Sequence, residues 1–148
     1  MSIIHEHFEE KLNELDIPFN SMEIEEGHRL YRVTYRLTKE RVLVAEIIIQ
    51  EADMPYVDSQ IIFRHVHLLT ERSKEATALT TINQLNEMKT GYYALHLAGD
   101  GEIFLRTLMR VGEDIEPLYQ TLVMGSQIAK GLQKDLIANL GESGSITN

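Results

Sequence analysis

The sequence predicts an α+β domain: a mainly antiparallel sheet of about five strands with three helices, in the order α-β-β-β-(β)-α-β-β-α. Three observations predict it. His28 to Leu37 alternates apolar and polar residues with a period of two. Residues 71–89 and 115–140 carry apolar side chains at helical spacing instead. Gly99-Asp100-Gly101 joins two short apolar stretches, and Asp-Gly in so short a connection marks a hairpin, because its positions need positive φ. Strands in a run, then a helix, a hairpin and a last helix fit a sheet with its helices on one side.

The elements follow in order. Ile4, Phe8, Leu12 and Leu15 stack on one face of a helix over residues 4–15, which Pro18 stops. Residues 19–26 alternate weakly and read as a short strand before a turn at Gly27. In the next strand Tyr31, Val33, Tyr35 and Leu37 point to the core, and Arg32, Thr34 and Arg36 point away. A polar turn over 38–41 leads to Val42–Gln50, β-branched and apolar on both faces, as an interior strand is. After a loop with Pro55, Ser59–Leu69 is a fourth strand.

In the middle helix Ala78, Leu79, Ile82, Leu85 and Asn86 form the stripe, and Gly91 ends it. Strands over 92–98 and 102–111 form the hairpin. Glu113 and Asp114 suit the positive end of the last helix, and Pro117 suits its first turn. Its stripe is Ile115, Leu118, Tyr119, Leu122, Ala129, Leu136, Ile137 and Leu140. Gly125, Ser126 and Ala129 make it shallow in the middle, where another element can come close. One domain over 1–141 and a disordered tail over 142–148 are expected.

Composition narrows the function. At 148 residues and 43% hydrophobic the chain is long enough for one core. With no cysteine there is no disulfide, thiolate site or cysteine nucleophile. No apolar run reaches the ~20 residues of a membrane span. The first residues lack the pattern of a signal peptide, so the expected location is cytoplasmic. The net charge is −9, and residues 1–26 hold eight acidic groups against Lys11 alone. Such a chain gains nothing from counterion release at phosphates, so nucleic acid is not an expected partner. The acidic segment reads as a wetted helix face, or as a patch for a basic partner.

Known chemistry is mostly missing. No phosphate loop, dinucleotide fingerprint or Gly-x-Ser-x-Gly elbow occurs. His5 and His7, two apart on a helix, cannot grip one ion. His65 and His67 share a strand face with Ile61, Phe63 and Leu69 but lack a third ligand nearby, so they read as partly buried strand residues and no metal is expected. Glu9, Glu10 and Glu14 read as a wet face. Arg106 and Arg110 share a strand face with Phe104 and Leu108, a mixture that suits an anion, a partner strand or an open sheet face. Asn86, inside an apolar stripe, must find partners. The expected ones are backbone groups at the helix end or in the neighbouring hairpin.

Ile82-Asn83-Gln84-Leu85-Asn86, followed by Gly91-Tyr92-Tyr93-Ala94-Leu95 and Asp100-Gly101-Glu102-Ile103, resembles the central signature of the YbjN-like family. The detailed likeness covers residues 78–111. The order of elements over 4–140 resembles the type III secretion chaperone-like fold, in which that family is placed. The resemblance implies a protein without catalytic activity or cofactor that forms homodimers and holds an extended client on sheet and helix surfaces. The expected partner-binding residues are Arg32, Arg36, Ile61, Phe63, Arg106 and Arg110. Ile61 and Phe63 enter because the strands 42–50 and 59–69 carry more apolar surface than three helices need cover. The alternative is a regulatory domain that binds a small molecule or anion on Arg32, Arg36, Arg106 and Arg110.

Overall fold

A computed structural model describes residues 2–145. Its elements are α1 (Ile3–Glu14), β1 (Asn20–Glu23), β2 (Arg29–Arg36), β3 (Val42–Ile49), β4 (Val57–Leu68), α2 (Glu75–Met88), β5 (Ala94–Leu97), β6 (Glu102–Val111) and α3 (Glu116–Leu140). The six strands form one wholly antiparallel sheet in the order β1-β2-β3-β4-β6-β5. This is the expected α+β class, with the short first strand counted in.

The inner face of the sheet is the core. Tyr31 and Val33 of β2, Leu43, Ala45, Ile47 and Ile49 of β3, and Ile61 and Phe63 of β4 are buried. The helices cover that face. Ile4, Phe8 and Leu12 of α1 are buried, and the Phe8 ring meets Tyr31 edge-on with centroids 5.0 Å apart. The stripe of α2 is Ala78, Thr81, Ile82 and Leu85, whereas Leu79, expected on it, is 51% exposed. The stripe of α3 gains Leu132, and Tyr119 and Ile137 lie at its margin. Its shallow centre is where the sheet comes closest. A Cβ at Gly125 would overlap the Phe63 ring and the Tyr93 hydroxyl, and that hydroxyl donates to the Thr121 carbonyl at 2.6 Å.

The predicted hairpin is present between β5 and β6, with Gly101 at φ +93° under the Leu69 carbonyl. The alternation of β2 holds, with Arg32, Thr34 and Arg36 outside the core.

Two expectations are corrected. Ile61 and Phe63 do not lie on an outer surface. Both are fully buried, because β4 turns its odd-numbered residues to the helices as far as Phe63. The regular alternation through His65 and His67 is broken by a bulge. Phe63 pairs with Leu105 but His67 with Ile103, so β4 carries two residues more than β6 across that step, and His65 takes φ +51°. The start of the expected tail meets β4. The Leu68 N–H donates to Ser143 Oγ and the Gly144 N–H to the Leu68 carbonyl, each at 2.9 Å. Residues 146–148 of that tail lie outside the described residues.

Candidate functional site

With the helices on one side, the described residues leave the other side of the sheet open, except where Ser143, Gly144 and Ser145 border the corner at Val42 and Val44. Its residues fall into rows across the strands. One row runs Asn20, Arg32, Glu46, Ile62, Arg106 and Ala94. The next runs Met22, Leu30, Ile48, Gln60 and Leu108. Arg36 lies opposite Val42 at one corner, and Arg110 opposite Asp58 at another. The four arginines singled out from the sequence therefore share one face, while Ile61 and Phe63 lie on the opposite one.

These arginines do not converge. Arg32 and Arg106 are in one row but three strand spacings apart, about 14 Å. Two of the four pair with a carboxylate. Arg32 Nε donates to Glu46 at 2.9 Å, and Arg110 meets Asp58 at 2.8 Å. Arg36 donates to the Lys39 carbonyl and has no carboxylate partner among the described residues, nor does Arg106.

A line of charges crosses four strands. Glu46 lies between Arg32 and Arg64, the latter at 3.8 Å, and Arg64 reaches Glu102 at 2.8 Å. Glu102 is 2% exposed and also accepts the His65 N–H at 2.8 Å. A buried carboxylate needs such partners. Here they fasten the β4 bulge to β6. Glu46, Arg64 and Glu102 do not stand out as a set in the sequence. Their complementary charges are visible in the chain, but only the strand register brings them together. Arg64 also lies over the Phe104 ring at 5.7 Å, and Phe104 stacks on His96 at 5.2 Å.

His5 is buried, its Nε2 3.1 Å from the Ile49 carbonyl, while His7 meets the Glu113 carbonyl. His65 is half-buried beside Glu102, with its Nδ1 3.4 Å from that carboxylate. His67 is fully buried and neither ring nitrogen has a partner. Burial, with Arg41 adding to it, pushes its pKa down to about 4. Among the described residues no three His, Asp or Glu side chains group closely enough to hold a metal ion. Nor is any described helix long and apolar enough to cross a membrane.

Apolar side chains fill the spaces between the arginines. Leu108 is 68% exposed, Val42 53% and Met22 48%, with Val44, Ile48 and Ile62 half-buried among them. Outward valines and isoleucines on central strands are unusual for a face that meets only water. No family model matches this chain, and no curated protein matches it either.

Proposed function

We propose that this chain is a non-catalytic interaction module of YbjN-like type, with the type III secretion chaperone-like fold, and that it binds another polypeptide. The open sheet face carries the reading. It is broad and apolar between its arginines, and it lacks the concave, converging polar groups that a small-molecule site needs. A cytoplasmic location and self-association as a homodimer belong to the same reading. So does the absence of nucleic acid and membrane among its partners, which the net charge of −9 favours for nucleic acid.

The alternative, an anion-binding regulatory domain, has in its favour that Arg36 and Arg106 lack carboxylates. Against it, the arginines are spread over the face rather than gathered on one point. The test runs a thermal-shift screen with anionic metabolites beside crosslinking of the chain in the cells that make it. The interaction module predicts crosslinks to a protein and no shift. A saturable shift with one metabolite, and no protein crosslink, would replace it with the alternative.

A further inference from the structure

We propose that the open sheet face docks an acidic segment of a different protein, one that carries apolar side chains between its carboxylates. This rests on the reading above and adds the site and the chemistry of the partner.

The charge on the face points to an acidic occupant. The face holds five arginines, at positions 32, 36, 64, 106 and 110, and three carboxylates, Glu46, Asp58 and Glu102. All three carboxylates already pair with arginines on the face itself. Arg36 and Arg106 are left over. A chain of net charge −9 thus carries a net positive set of side chains on this face, and its remaining residues are acidic in sum. An acidic partner is repelled by the rest of the molecule and drawn to this side, which fixes its approach.

The kinds of residue agree. The chain has six lysines, and none lies on this face, where every cation is an arginine. Arginine, aromatic residues and methionine are enriched in the centres of protein interfaces and lysine is depleted. Phe104 and Met22 complete that composition here. Leu108 beside Arg106 offers an apolar contact next to a free cation on the same strand.

A second copy of the chain is a poor occupant. Two such faces brought together would bring four unpaired arginines and no unpaired carboxylate to meet them. Like charges across an interface oppose association.

The test uses the full chain, labelled with nitrogen-15, and two synthetic helical peptides with the same leucine stripe. One is flanked by glutamates and the other by lysines. The glutamate peptide should bind and shift amide signals of β3, β4 and β6. Binding should weaken with added salt. Exchanging both free cations, Arg36→Glu with Arg106→Glu, should weaken it by about tenfold or more. Lys130→Glu, on the exposed side of α3, should leave it unchanged. Both arginines are outside the core, so the double variant should keep the unfolding midpoint of the parent, and that midpoint is measured alongside.

Equal binding of the lysine peptide would overturn the proposal, as would shifts confined to the helical side or no binding of either peptide. A dimer that Leu108→Asp splits would also overturn it, because a second copy would then cover the face. Crosslinks to a protein that map elsewhere would end this proposal and leave the interaction module standing. A metabolite shift without protein crosslinks would end both.

Discussion

Asn86 pairs with Leu95 as a neighbouring strand would. Its side-chain nitrogen donates to the Leu95 carbonyl at 3.1 Å, and its side-chain oxygen accepts the Leu95 N–H at 2.7 Å. Leu95 is the second residue of β5, the last strand of the sheet. A helix side chain therefore takes up the outward backbone groups of Leu95 on that edge, which would otherwise be open to further pairing. Asn86→Leu keeps the size of the side chain and orphans both backbone groups, at a cost of about 2–3 kcal/mol. Urea unfolding measures the loss, and the Leu95 amide should exchange with solvent faster than its neighbours in β6.

Two glycines of α3 should respond in opposite directions to alanine. At Gly125 a Cβ overlaps Phe63 and Tyr93, both anchored in the core. Gly125→Ala should destabilise by about 1–3 kcal/mol in spite of alanine's better helix propensity. Nothing lies within 4 Å of a Cβ at Gly131. Gly131→Ala should stabilise by about 0.5–1 kcal/mol. Denaturant midpoints of the two variants check both signs at once.

The close approach at Gly125 was legible because small residues interrupt an otherwise apolar stripe, and the role of Asn86 because a buried amide must bond to something. The facing of β2 was legible because its alternation has one apolar side. β4 has two apolar sides, Ile61 and Phe63 against Ile62, and a period of two does not say which side meets the helices. That is why Ile61 and Phe63 were expected outside and are found inside. The bulge before His67 depends on β6, which is some forty positions away. The line from Arg32 to Glu102 depends on three successive strand registers, none of which leaves a local mark in the chain.

His67 makes stability depend on pH. In the folded chain its pKa is about 4, below the ordinary 6.5, so the folded state refuses a proton that the unfolded chain accepts. Above pH 6.5 this has no effect. As the pH falls from 6.5 toward 4 it lowers stability, by about 3 kcal/mol over the whole interval, and then levels off. His67→Leu removes this dependence. Unfolding free energies of the parent and variant should diverge between pH 7 and pH 4.5, with the variant losing less.

Glu102 should be costly to replace. It is nearly fully buried, pairs with Arg64 and accepts the His65 N–H at the bulge. Glu102→Gln keeps an oxygen for His65 and removes the charge that Arg64 meets. Glu102→Ala removes both, and should cost about 3 kcal/mol or more. In the alanine variant the His65 amide should exchange quickly, while in the glutamine variant it should stay protected.

Leu108 and Ile61 separate the two faces of the sheet by experiment. Ile61 is fully buried, opposite Thr107, whereas Leu108, the next residue of β6, is 68% exposed. Aspartate at position 61 would place a carboxylate in the core without a partner, and Ile61→Asp should not fold. Phe63→Asp should fail for the same reason. Leu108→Asp meets water on the open face and should keep its unfolding free energy within about 0.5 kcal/mol of the parent. Once that variant is shown to be folded, its mass is informative. The homodimer in the proposal has twice the 17.0 kDa mass of the chain. If the open face is kept for an acidic partner, Leu108→Asp leaves that mass unchanged in light scattering and weakens the glutamate peptide. A mass that falls to 17.0 kDa in the variant alone would make the open face the dimer seam. The arginines left over at positions 36 and 106 would then enter the seam with no unpaired carboxylate of that face to meet them, an arrangement that their charge opposes.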